Sequence, residues 1–454
     1  MTAFSKGAYY GYVNIGYLSF RIAGTDGVSL EAERWKIILE RMGHKVTFIA
    51  GELDQSGVLI DSLHFTHPEI YKIHEDIITK NIDYKKAEKE IFALSGDIEG
   101  ELRQVFRQLH IDKLIISNVF SLPIHFPAAV ALERVITEFK IPAISRNHDF
   151  WWERERYLKS HCFEFFKRFF PPNNPLITHL TINSIAQQEL KQRSGIKSRV
   201  ISDCFDFNLK LNQLDAWTKN WRKDFEIAKD DIVFLQATRI VPRKNIELAI
   251  ELIKKLNDPR IIFVLAGYHG DESGDYLKKI VRLVKEAGIR TKFIGTRIKS
   301  ERAVTDEAGR FYTLWGCFVN ADFITYPSTF EGFGNQFIEA VYFKKPIFVN
   351  RYEVYKKDIE PLGFETVAVD NKVTSDTVNR VRELLSSPEE VERIVKKNFE
   401  IGKANFSFEA TQKKIEKLGI PNLHKKPGLF NIYFPHGAFS IAGGIFSEYL
   451  NLLK

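Results

Sequence analysis

The chain has 454 residues, 44% hydrophobic and 27% charged, with a formal net charge of +7. That length holds two large domains or about three average ones, and the composition is that of an ordinary globular chain with ample core material. The mild positive excess suits anionic substrates or weak contact with an acidic membrane surface; without a concentrated basic stripe it argues against nucleic-acid binding. Cys162, Cys204 and Cys317 are too scattered for a zinc site or a disulfide framework. No run reaches the ~20 apolar residues of a spanning helix, and Tyr, Gly and Asn interrupt the N-terminus where a signal peptide needs continuity. The expectation is a cytoplasmic protein, either free or peripheral to the inner face of the membrane.

In chain order, residues 13–20 are mostly apolar and run into the turn Gly24-Thr25-Asp26-Gly27. Helical periodicity over 29–42 and a short strand at 45–49 complete a β-turn-α-β opening of a doubly wound sheet. Residues 64–110 are charged and helical in spacing. Buried strands are expected at 114–117 and 143–145, with a helix at 128–139 between them, and a further strand at 180–183 with Ser184 capping the helix 185–192. The pattern then restarts: strand 232–236, a polar turn, helix 246–256, strand 261–266, helix 275–287, strand 292–295, an apolar run at 323–328 and a strand at 346–349. Strands alternating with helices mean parallel sheets. The predicted organisation is an α/β chain of two Rossmann-like domains, one over 1–205 and one over 206–404. A helix over 405–420 is expected to return to the first domain. The remaining 421–454 is an apolar tail, broken by Pro435, Gly437, Gly443 and Gly444. Packing on the domains or on a second subunit, anchoring on a membrane surface, and disorder all fit its composition.

Two segments carry the chemistry. Thr238-Arg239-Ile240-Val241-Pro242-Arg243-Lys244 follows one strand end. Ligands of parallel sheets bind at carboxyl ends of strands, and Arg239 and Lys244 there suit a diphosphate, although a solvated basic turn would look the same. Glu331-Gly332-Phe333-Gly334-Asn335-Gln336-Phe337-Ile338-Glu339 follows the second. The order strand, glycine loop, helix start aims backbone amides at an anion. The amides of Gly334, Asn335 and Gln336 would hold a phosphate, Glu331 would accept from sugar hydroxyls, and Glu339, two helical turns on, would accept from a ribose diol. Two surface glutamates are the bland alternative. A phosphate and hydroxyls bound together describe a nucleotide sugar. No metal-ligand cluster is visible, and Asp230-Asp231 lies at a helix-to-strand junction.

These segments resemble the retaining glycosyltransferases of the fourth sequence family, glycosyl transferases group 1, over most of residues 12–418. The resemblance implies the GT-B fold, two facing Rossmann-like domains with a cleft between them and a C-terminal helix crossing back to the first. It assigns Arg239 and Lys244 to the diphosphate clamp and Glu331 to the transferred sugar, with Glu339 on the ribose. Phe333 belongs to the same donor loop, and Phe293 and Ile294 would offer backbone contacts to the base. The family often has Gly where Thr238 stands. In the first domain it implies a loop at Gly24, Thr25, Asp26 and Gly27 beside phosphates and acceptor. His148 would touch the transferred sugar, oriented by Asp149. Trp151 and Arg154 would line the acceptor side, although the aromatic run from Phe150 also suits a core.

The implied reaction moves mannose or glucose from GDP-mannose, UDP-glucose or ADP-glucose to an acceptor hydroxyl with retained configuration. It needs no cofactor or metal, because GT-B enzymes neutralise the departing diphosphate with cations and helix dipoles. The stretches 24–33 and 148–157 resemble bacterial enzymes acting on small polar acceptors, the mannosylglucosylglycerate synthases among them. Acceptors in cell-surface glycan or lipid assembly fit as well, and so does assembly as a homo-oligomer. The competing readings are a catalytically silent partner protein that binds nucleotide sugar or glycan, and a nucleotide-sugar epimerase.

Overall fold

A computed structural model describes residues 11–24, 26–211, 213–267, 274–305 and 309–425. Thr25 and the predicted tail from residue 426 onward lie outside the described residues. The described chain forms two compact units, one of residues 11–202 with 411–425 and one of residues 203–410.

The first unit is built on strands β1 (Asn14–Ser19), β2 (Lys45–Ala50), β3 (Gly57–Leu59), β4 (Lys113–Ser117), β5 (Ala143–Asn147), β6 (Ile177–Thr181) and β7 (Ser198–Val200). They lie in the order β3-β2-β1-β4-β5-β6-β7, every neighbouring pair parallel. All of β5 and all but the first residue of β1 and β4 are buried. This is why β1 and β4 read as largely apolar runs rather than as an alternation, whereas β5 buries Ser145, Arg146 and Asn147 beside Ala143 and Ile144. The helix Phe126–Phe139, rich in Ala and Val, packs into the same core with the aromatic run Trp151, Phe165, Phe166 and Phe170.

The second unit continues with β8 (Ile232–Gln236), β9 (Ile261–Leu265), β10 (Thr291–Phe293), an antiparallel hairpin of β11 (Ala303–Thr305) and β12 (Gly309–Phe311), then β13 (Phe323–Tyr326), β14 (Ile347–Asn350) and β15 (Val367–Val369). Its parallel sheet has the order β10-β9-β8-β13-β14-β15. Phe234 and Phe323, partners across β8 and β13, stack with centroids 4.8 Å apart.

In each sheet the strand order reverses once, between β1 and β4 in the first and between β8 and β13 in the second. Such switch points open a crevice at the carboxyl ends of the two strands. The basic segment leaves β8 and the glutamate segment leaves β13, so both predicted donor loops stand at one switch point.

Two local expectations need correction. The strand expected at 180–183 is Ile177–Thr181, and the cap expected at Ser184 is Asn183. Asn183 is extended, and its Oδ1 accepts from the Ala186 amide at 2.7 Å, the third residue of the helix, which leaves Ser184 as the first helical residue. The short strands β3, β7, β11 and β12 have three residues each, too few for a readable period.

Candidate functional site

The two loops of the second unit are tied by backbone before any side chain is considered. The Thr329 amide donates to the Arg243 carbonyl at 2.9 Å, and the Thr329 hydroxyl donates to the same oxygen at 3.2 Å. At the end of β9, a Cβ on Gly267 would fall 1.9 Å from the Thr238 carbonyl oxygen, so only glycine lets these two chain segments pass. Thr238 itself is buried, and its hydroxyl accepts from Gln236 Nε2 at 2.7 Å. Gln236 Oε1 in turn accepts from the Thr325 hydroxyl at 2.6 Å, joining β8 and β13 by a buried polar bridge. Threonine in place of the family's usual glycine thus serves the sheet.

On this frame Glu331 receives two cations. Its Oε1 pairs with Lys244 Nζ, and its Oε2 lies 3.0 Å from Arg243 Nη1. The side chains of Lys244 and Glu331 are 8% and 10% exposed, that of Arg243 40%. Burial would raise the Glu331 carboxyl, but Lys244 and Arg243 outweigh it and hold the group below its ordinary range. Burial lowers the Lys244 ammonium, and Glu331 resists that. Lys244 also lies 5.8 Å from the Tyr326 ring centroid. Arg239 is exposed, close enough to bear on Lys244 electrostatically. With two cations on one carboxylate and a third nearby, the cluster carries a net positive charge and favours an anion.

Gly334 precedes the helix Asn335–Tyr342 with φ +127°, and a Cβ there would meet the Tyr352 hydroxyl at 2.5 Å. Tyr352 donates that hydroxyl to the Phe333 carbonyl at 2.7 Å, fixing the loop below the helix start. Gln336 Nε2 donates to the Ala237 carbonyl at the end of β8, and Asn335 Oδ1 is buried without a protein partner. Glu339 is buried on the same helix. Phe333 is buried against Phe406, with centroids 5.1 Å apart, and so belongs to the packing under the loop. Phe293 is 39% exposed at the end of β10, whereas Ile294 is buried and its amide donates to the Leu265 carbonyl at 2.9 Å.

In the first unit the loop after β1 is organised by Asp26. Its Oδ1 accepts from the Val28 and Ser29 amides at 3.0 and 3.2 Å. Its Oδ2 accepts from the Ser29 hydroxyl at 2.8 Å and from Arg21 at 3.0 Å. The carboxylate caps the helix Gly27–Arg41 and takes up amides an incoming phosphate would use. Gly24, at φ +74°, donates its amide to Asp54 Oδ2 at 2.7 Å.

His148 follows β5 and is buried. Its Nε2 accepts from Arg146 Nη1 at 2.7 Å, which leaves Nδ1 to carry the proton toward Asn118 Oδ1 at 3.3 Å. Burial first, and the Arg146 charge second, keep this ring neutral far below the usual histidine range. Arg146 and Glu31 form a pair at 2.9 Å with both side chains fully buried, extended by Arg34 at 2.6 Å. Asp149 pairs with Arg154 at 2.9 Å. Trp151 is in the core, its indole N–H donating to the Phe170 carbonyl at 2.8 Å.

Arg243, Asn118 and the chain of Arg34 and Glu31 from the helix Gly27–Arg41 with Arg146 of β5 are the polar residues that sequence reasoning passed over. A left-handed Asn118 after β4, at φ +59°, has no signature in one sequence. Arg243 sat inside the basic segment without a role. Among the described residues no group of three or more His, Cys, Asp or Glu could hold a metal ion. Asp231 is paired with Arg290 at 2.6 Å. No helix among the described residues is long and apolar enough to cross a membrane.

Comparison with known proteins identifies the family and the fold. The family model described as glycosyl transferases group 1 matches residues 218–400. The chain is 34% identical over 439 residues to a mannosylglucosylglycerate synthase of Petrotoga mobilis, covering 88% of this chain and 100% of that protein. It is 30% identical to the enzyme of the same name from Thermotoga maritima, covering 90% and 100%. Among solved structures, Anabaena HepE in complex with UDP and glucose superposes with a TM-score of 0.60 at 15% identity, covering 90% of this chain and 99% of that one. Sucrose-phosphate synthase of Thermosynechococcus elongatus does so at 0.63 and 15%, covering 90% and 98%. These likenesses show the GT-B fold. By family match and full-length relatives together, the chain belongs to the group 1 glycosyltransferases and is a nucleotide-sugar-dependent hexosyltransferase.

Proposed function

We propose that this enzyme transfers a mannosyl group, with retention of configuration, from a nucleotide diphosphate sugar to a small anionic glycoside of the glucosylglycerate type. The donor half of this reading rests on one observation, the clamp of Lys244 and Arg243 on Glu331 at the β8/β13 switch point, next to the helix start at Gly334. The acceptor half is supported by full-length relatives named for mannosylglucosylglycerate synthesis.

Arg239 and Lys244 neutralise the departing diphosphate together with the amides of Gly334, Asn335 and Gln336. Glu331 accepts from hydroxyls of the transferred sugar, and Glu339 accepts from the ribose. Phe293 and Ile294 border the base. The acceptor oxygen bonds to the anomeric carbon on the face from which the phosphate oxygen leaves, and its proton passes to that phosphate. His148 supports this assignment by being a poor base: one ring nitrogen faces a guanidinium, and burial disfavours its cation. It contributes polar shape rather than a proton. Asp149, Arg154 and the loop containing Gly24 then border the acceptor. No metal is required by this scheme.

The test is a panel of GDP-mannose, UDP-glucose and ADP-glucose with glucosylglycerate, the anomeric configuration of the product being read by NMR. An α-mannoside formed from GDP-mannose is the expected result. An inverted product, or diphosphate release indifferent to the acceptor, overturns the proposal. Two variants test the roles. Glu331→Ala should abolish transfer while GDP binding survives. Lys244→Ala should weaken GDP binding roughly 10- to 100-fold, the loss of one charge-assisted bond. Unchanged GDP binding in the lysine variant sinks the clamp assignment.

A further inference from the structure

Glu331 holds two cations that are not equivalent. Lys244 is a buried ammonium on a flexible stem, a point charge free to change direction. Arg243 is anchored to the very loop that carries Glu331. Its carbonyl accepts from the Thr329 amide at 2.9 Å and hydroxyl at 3.2 Å, and its guanidinium reaches both the Phe330 carbonyl at 3.4 Å and Glu331 Oε2 at 3.0 Å. If Lys244 turns to a donor diphosphate, the Glu331 carboxylate, 10% exposed, loses its partner on Oε1. Were Arg243 absent as well, the carboxylate would be left buried without a cation, which is costly, and it would rotate or move to water. The Arg243 contact on Oε2 is on the side that a departing Lys244 does not disturb.

We propose that Arg243 is the positioning residue of Glu331: it holds the carboxylate toward the sugar while Lys244 exchanges that carboxylate for the donor diphosphate. This rests on the reading of Glu331 as the sugar contact and Lys244 as a phosphate ligand. Before that exchange the carboxylate acts as a stand-in anion that keeps Lys244 charged and in place. Arg243 makes the exchange possible without loss of alignment.

Arg243→Ala, Arg243→Lys and Glu331→Gln are compared with the parent enzyme. GDP affinity is measured by calorimetry, and kcat and KM with GDP-mannose and glucosylglycerate. Arg243→Ala should lower kcat about 10²-fold, the scale of a misplaced reacting group, with GDP affinity within about 3-fold of the parent, and Arg243→Lys should recover much of kcat. Glu331→Gln, which removes the stand-in charge, should bind GDP more tightly than the parent while losing transfer. Two results overturn the proposal: a loss of GDP affinity in Arg243→Ala, which would make Arg243 a phosphate ligand, and an unchanged kcat, which would make it a spectator. The lysine variant, retaining charge and loop contacts, separates positioning from misfolding. Transfer at the parent rate by Glu331→Gln would sink the underlying assignment of Glu331 instead, and so is distinguishable from failure of Arg243 alone.

Discussion

Gly334 shows how narrowly one residue can be specified. Its φ of +127° is a conformation that L side chains rarely adopt, and the space for a Cβ is filled by the hydroxyls of Tyr352 at 2.5 Å and Tyr326 at 3.2 Å. Gly334→Ala should therefore cost about 1–3 kcal/mol through backbone strain, and it should also push Tyr352 off the Phe333 carbonyl and weaken GDP binding. Urea denaturation and calorimetry together check this; a variant as stable and as tightly binding as the parent would show that the loop can relax. Residues of this kind were legible in the sequence because the motif is local: Glu331, Gly334 and Glu339 follow one another through a loop and a helix. Arg243 was not legible. Its significance arises only when the Arg243 carbonyl and the Thr329 amide come within 2.9 Å, a contact 86 residues apart in the chain.

Among elements, the helix Gly27–Arg41 asks whether its N-terminus binds a ligand or is closed by the protein. Asp26 occupies the Val28 and Ser29 amides with one oxygen and the Ser29 hydroxyl and Arg21 with the other, so capping explains this residue without a phosphate. Asp26→Ala should lower stability by about 1 kcal/mol, Asp26→Asn by less, and both should leave GDP affinity unchanged. A tenfold loss of affinity with little change in melting temperature would instead assign Asp26 to the donor. Strands were legible in the sequence where they are buried on both faces, as β8 at Ile232–Gln236 is. Their order was not, because apolar periodicity carries no information on which strands pair. The switch points β1/β4 and β8/β13 are properties of pairing, and they are what bring the Arg243 loop to the Glu331 loop. The aromatic run after Phe150 shows the same limit: Trp151 could line a site or fill a core by composition, and burial settles it as core.

Across the whole molecule, the two units should respond differently to acid, because buried neutral histidines gather in the first. His125 accepts the Ala128 amide on Nδ1 at 3.1 Å and lies 2.8 Å from the Ser62 carbonyl through Nε2; a second proton would set two N–H groups against each other. Burial holds His125 and His179 at about 4, the latter bound to the Pro172 carbonyl. His74 is also at about 4, from burial and then Arg156, and His148 is lowered by burial and then Arg146. Each folded value lies below the unfolded one of about 6.5, so each contributes stability that is complete above that pH and is lost as pH falls toward the folded value. Glu33, raised to about 7 by burial and Asp54, acts oppositely, as does the more exposed Glu153, raised to about 8. The lowered histidines outnumber the raised glutamates, so near pH 5.5 the unfolded first unit binds more protons than the folded one and its stability falls as the pH falls. In the second unit the shifted acids are carboxylates held low, Glu331 by Lys244 and Arg243 against burial, and Glu365 at about 2 by Arg393 and Lys397. Their contribution begins to fall only below the unfolded value of about 4.3. Hydrogen exchange followed from pH 7 to pH 4.5 should accordingly show the β1–β7 core opening first while the β8–β15 core stays protected, and calorimetry should resolve two transitions that separate as pH falls. Loss of both cores in one step at every pH would mean that the units do not unfold independently, and earlier opening of the β8–β15 core would contradict the histidine account.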